Sequence, residues 1–126
     1  MKAGMSRSRP ALVVVDTMVV IVFVAIGRST HDHGLGVKGM VSTTWPFATG
    51  LSLSWLLLAL RGRRGESLID GVILTLLTVA IAMTLRVLSG QGAAFAFVLV
   101  TLGFLGTGFS ASRVLRRCNF RARSRN

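Results

Sequence analysis

The chain has 126 residues, 52% of them hydrophobic, and carries 15 Lys and Arg against 4 Asp and Glu, a net charge of +11. A mean hydropathy of +0.66 excludes a small water-soluble domain, whose surface needs far more polar cover, and the length leaves room for one compact domain. A pI near 12.0 in a soluble protein would point to nucleic acid. Here the basic residues sit between apolar runs and at the two ends, where the cytoplasmic face of a membrane protein collects them.

Met1 to Pro10 is a basic segment with Lys2, Arg7 and Arg9, expected in the cytoplasm. Pro10 suits the first turn of a helix, where its missing N–H costs nothing. Residues 11–28, ALVVVDTMVVIVFVAIGR, follow as a first apolar span with one acid, Asp16, inside it. The run is near the lower limit for crossing a bilayer and too long for a buried strand. Its basic flank resembles a signal peptide, but it lacks a small-x-small cleavage site and three more spans follow, so it reads as retained.

Ser29 to Gly39 is a glycine-rich polar loop. The second span covers about residues 41–60, with Trp45 at an interfacial position and Pro46 in its first turn or at a kink just inside. A basic turn, Arg61 to Glu66, leads to a third span over 67–87, with Asp70 near its start and Arg86 near its end. After the turn Ser89 to Gly92, a fourth span covers 93–115, and residues 116–126 form a basic polar tail, expected in the cytoplasm. The expected architecture is therefore all-α: one four-helix transmembrane bundle over residues 11–115 with both termini cytoplasmic. That topology puts twelve of the 15 Lys and Arg on the inner side and leaves Arg28, Lys38 and Arg86 outside. Spans one and three share an early Asp, a Val-Ala-Ile and a late Arg, a faint parallel repeat of the two hairpins.

Asp16, then Val24-Ala25-Ile26-Gly27-Arg28 with His31 shortly after, then Thr44-Trp45-Pro46-Phe47 and Trp55, resemble the actinobacterial and haloarchaeal membrane family catalogued as domain of unknown function 3054. Arg86 near Gly90-Gln91-Gly92 is similar too, and the likeness covers about residues 11–115. The resemblance implies a four-helix membrane protein and brings no established activity.

Asp16 lies about five residues into the first span, roughly 7–8 Å deep at the rise of an α-helix. An ionisable group at that depth must face the bundle interior, a partner or water. It is either a proton- or cation-binding carboxylate or, the plainer reading, half of a structural ion pair with an inner-face arginine such as Arg9 or Arg63. Asp70 reads as an N-terminal acid matched to its helix dipole beside Arg64. Arg28, His31, Arg86 and Gln91 fall at the outer ends of spans one and three. If those ends adjoin, they make a cationic vestibule for an anion or a lipid headgroup; the plainer reading is snorkelling arginines. His31-Asp32-His33 lacks a third metal ligand nearby, so no metal is assigned.

Small residues four apart, Gly50 with Ser54, Gly103 with Thr107 and Gly106 with Ser110, suit helix packing inside the bundle or a homodimer face. The sequence carries no phosphate-cradling loop, nucleophile elbow, His-Glu-x-x-His or Cys-x-x-Cys, so neither a cofactor nor an enzymatic activity is expected. The expected role is a non-enzymatic accessory or partner-binding protein of a prokaryotic cytoplasmic membrane. Its expected partners are anionic inner-leaflet headgroups and a homo-oligomer or larger complex, rather than nucleic acid. The alternative is an oligomeric transporter or channel using Asp16 and the Arg28, His31 and Arg86 cluster.

Overall fold

The computed structural model describes the backbone of residues 2–30, 36–92 and 94–125 and the side chains of 10–28, 36–92 and 94–118. The described chain is four α-helices: α1 (Lys2–Thr30), α2 (Val37–Leu60), α3 (Leu68–Leu88) and α4 (Phe95–Arg125). Each packs against its two neighbours in ring order, so that α4 closes back onto α1, while α1 faces α3 and α2 faces α4 across the diagonals. Stretches within all four, Pro10–Arg28, Val37–Leu60, Leu68–Leu88 and Phe95–Cys118, are long and apolar enough to cross a bilayer. Large apolar side chains such as Val14, Met18, Leu56, Ile69, Leu76 and Val100 point outward. Water would drive such a surface to associate, whereas hydrocarbon solvates it. Together these features suggest a multi-pass membrane protein.

The helices outrun the apolar stretches. α1 is helical from Lys2, before Pro10, and α4 continues through the basic tail to Arg125. α2 begins at Val37, so Pro46 lies within it rather than in its first turn, and its ring is buried in the bundle. At the other ends the turn chemistry is decisive. Gly62 (φ 74°) follows α2 and Gly90 (φ 83°) follows α3. At both places the next N–H closes back on the last turn, Arg63 N–H to Leu58 O (2.9 Å) and Gln91 N–H to Arg86 O (2.8 Å). The left-handed glycine is what lets these final carbonyls be satisfied. Ser67 caps α3 by accepting the Asp70 N–H at 3.0 Å.

Lipid tails are as apolar as leucine, so close packing and polar contacts hold such helices together. α2 and α3 approach through Gly50, where a Cβ would stand 2.8 Å from the Thr78 carbonyl oxygen. One turn on, buried Ser54 accepts a hydrogen bond from the Thr78 hydroxyl (3.3 Å) and donates to the Gly50 carbonyl (2.7 Å). Gly106 faces Thr75 of α3. Gly108, which the spacing did not single out, abuts Val19 of α1. Gly103 and Thr107 do not pack inside the bundle: both are exposed, and a Cβ on Gly103 would meet nothing within 4 Å. Ser110 is half-buried.

Aromatic rings cluster at the end of the core away from Asp16. Phe23 of α1 contacts Phe47, Phe97 and Phe104 with ring centroids 5.3–6.0 Å apart, and Arg86 lies 4.6 Å from the Phe97 centroid, closing that end. Gly50→Leu should drive α2 and α3 apart and cost about 1–3 kcal/mol, while Gly103→Leu should stay within about 0.5 kcal/mol. Thermal unfolding of the detergent-solubilised variants distinguishes the two positions; equal losses would contradict this packing.

Candidate functional site

Because neighbouring helices run antiparallel, the start of α1, the α2–α3 loop and the end of α4 share one end of the bundle. This basic end contains the most connected polar cluster among the described residues. Its centre is Asp16, fully buried together with Arg113. Arg113 Nη1 lies 2.6 Å from Asp16 Oδ1 and Nη2 lies 2.9 Å from Oδ2, a fork-to-fork pair joining α1 to α4. Trp55 of α2 donates its indole N–H to Asp16 Oδ2 at 3.1 Å. The Arg113 Nε–H reaches the Gly65 carbonyl at 3.0 Å, and Nη1 also meets Phe109 O and Ser112 Oγ.

Arg113 reaches this position through helical periodicity. Thr101, Leu105, Phe109 and Arg113 recur every four residues, and all four are fully buried. The basic cluster that ends the fourth span therefore begins on the inward face. The expectation was an inner-side arginine such as Arg9 or Arg63, and the arginine that pairs with Asp16 is Arg113. The Arg9 side chain lies outside the described residues, and Arg63 is bonded to Asp70 at 3.0 Å. Arg63, not the expected Arg64, is thus the neighbour of Asp70. The signal for Arg113 was its register with Thr101, Leu105 and Phe109.

Gly65 joins the two ion pairs. Its N–H donates to Asp70 Oδ2 at 3.0 Å while its carbonyl accepts from Arg113. It is buried with φ 77°, and a Cβ there would run into the Trp55 ring. The result is one hydrogen-bonded chain, Trp55–Asp16–Arg113–Gly65–Asp70–Arg63, touching every helix. Among the described residues no buried side-chain N or O atom lacks a hydrogen-bond partner.

The opposite end is separate. Arg28 donates to Thr43 Oγ1 at 2.8 Å. Arg86 donates to Gly92 O (3.0 Å) and Gln91 Oε1 (3.1 Å), and Gln91 in turn donates to Ser42 O (3.1 Å). The ends of α1 and α3 are diagonal rather than adjacent; Arg28 reaches Thr43 of α2 directly, and Arg86 reaches the neighbouring Ser42 through Gln91. His31, with Asp32 and His33, lies outside the described residues. Asp16 stands twelve residues, about 18 Å along α1, from Arg28, so the two belong to different sites. An apolar groove of about 550 Å³ runs between α1 and α4 past Val15, Met18, Val22, Phe104, Thr107 and Gly108, and no charged side chain lines it.

A family profile described as "Protein of unknown function (DUF3054)" matches residues 13–116. The chain belongs to this family. No curated protein and no solved structure matches it. The matched segment of this DUF3054 protein includes Asp16, Trp55, Gly65, Asp70 and Arg113, the whole polar chain described above.

In this DUF3054 protein the Asp16–Arg113 pair holds the ring closed between its first and last helices. Removing one member of a buried pair strands the other charge. Asp16→Asn is therefore expected to cost about 3–5 kcal/mol, and Asp16→Leu with Arg113→Met markedly less. Thermal unfolding of the two variants in detergent gives the comparison. A double variant no better than Asp16→Asn would contradict the pairing.

Proposed function

We propose that this protein is a non-enzymatic accessory or partner-binding membrane protein, seated with its basic end and both termini in the cytoplasm of a prokaryotic cell. The observation that carries the reading is the state of Asp16. Intramembrane carboxylates that bind a proton or cation need access to water and an exchangeable partner. Asp16 has no exposed surface, and both its oxygens accept hydrogen bonds from Arg113, with Trp55 adding a third. The ionisable groups at membrane depth are used to fasten helices, and the groove between α1 and α4 has apolar walls. A transport role would require Asp16 to leave Arg113 in each cycle.

The orientation rests on the charge distribution. Twelve of the 15 Lys and Arg belong to the basic end, and such residues gather on the cytoplasmic side. The exposed Gly103 and Thr107 on α4 are available to a second copy or a larger complex.

Two measurements check this reading. Terminal tags should both be cleaved in inverted vesicles and protected in intact cells; cleavage of the two tags on opposite sides would refute the topology. In proteoliposomes the protein should carry no proton or alkali-cation flux above empty liposomes. A flux that disappears in a folded Asp16→Leu/Arg113→Met variant would establish the transporter instead.

A further inference from the structure

We infer that the basic end carries a binding site for the phosphate of an anionic phospholipid, built from Arg61 and Arg64 of the α2–α3 loop and Arg117 of α4. The inference requires only that the chain spans a bilayer and does not depend on the non-enzymatic reading.

The site is assembled from two distant stretches of sequence. The Gly65 carbonyl accepts the Arg113 Nε–H at 3.0 Å, which pins the loop against α4. Arg117 follows Arg113 by one helical turn and is exposed, so it lies one turn beyond the point where Arg113 meets that loop. The loop is held from a second side, because Arg63 and the Gly65 N–H both bind Asp70. Arg61, Arg64 and Arg117 are all exposed. Three guanidinium groups are thereby brought to one end on a backbone that is already ordered, which lowers the cost of organising them around a ligand.

Charge and depth select the ligand. Of the acids at this end, Asp16 is occupied by Arg113 and Asp70 by Arg63. Among the described side chains, the exposed Arg61, Arg64 and Arg117 stand at this end with one further acid, Glu66. Arg61 and Arg64 directly follow the apolar stretch ending at Leu60, and Arg117 lies at the end of the stretch Phe95–Cys118. These arginines therefore stand at the depth of lipid phosphates, and the planar guanidinium fork matches phosphate oxygens in pairs. A soluble polyanion would have to reach down to that level.

The test uses the full chain in phosphatidylcholine-containing micelles, with phosphatidylglycerol titrated in and bound lipid counted by native mass spectrometry. The protein should retain phosphatidylglycerol in preference to phosphatidylcholine. Arg61→Gln/Arg64→Gln/Arg117→Gln should weaken that retention about tenfold or more, while Lys38→Gln, exposed at the opposite end, should leave it unchanged. Should the triple variant not fold, Arg64→Gln and Arg117→Gln singly should each weaken retention several-fold. Undiminished retention in these variants, or an equal loss in Lys38→Gln, overturns the site. Displacement of the lipid by inorganic phosphate at matched concentration assigns the arginines to a free anion and overturns the lipid. Binding of a single-stranded RNA oligonucleotide that the triple variant abolishes, without phosphatidylglycerol preference, overturns it in favour of nucleic acid.

Discussion

The bundle depends on one buried ion pair. Asp16 and Arg113 are 97 residues apart, and neither is tolerable alone in hydrocarbon. Paired as a fork and supplemented by Trp55, Gly65, Phe109 and Ser112, they become a fastening between the first and last helices. α4 can dock on α1 in few registers that satisfy both groups. A shift of one residue would turn Arg113 about 100° away from the interior on a helix of 3.6 residues per turn. Satisfying both groups is therefore a constraint on how α4 docks against α1.

Around this fastening, backbone proximity does the remaining work. Gly50 brings α2 against α3, Gly106 and Gly108 bring α4 against α3 and α1, and Thr78 of α3 donates a hydrogen bond to Ser54 of α2. The polar contacts follow the order of the two hairpins. Each odd helix contributes an Asp that binds an Arg contributed from outside its own helix, Asp16 of α1 with Arg113 of α4 and Asp70 of α3 with Arg63 of the loop that follows α2. The late Arg28 and Arg86 each donate to the segment that begins the next hairpin arm, at Thr43 and at Gly92. The correspondence is one of roles, because the paired acids sit at different depths in their helices.

The two ends differ in character. At one, arginine caps an aromatic cluster through the Arg86–Phe97 contact and the charges are few. At the other, two ion pairs share a glycine and arginines crowd the apolar boundary. Such asymmetry suits a membrane whose two surfaces differ in charge, since cations near an anionic leaflet are favoured.

The four spans, the polar connections between them and the costliness of Asp16 could be read from the sequence alone, because hydropathy over about twenty residues and the position of a lone acid are local properties. The partner of Asp16 could not. Several arginines lay at the same end, and choosing among them requires knowing which face of α4 turns inward and which helices adjoin. The same limit applied to the small residues: Gly50 and Gly103 look alike in sequence, yet one meets a backbone carbonyl and the other open space. Gly65 lay in an ordinary-looking basic turn, and its role arises only where Trp55, Asp70 and Arg113 converge. What sequence determined was the solvent of each segment. What tertiary structure decided was which polar groups meet, because in hydrocarbon each must find its partner on another helix.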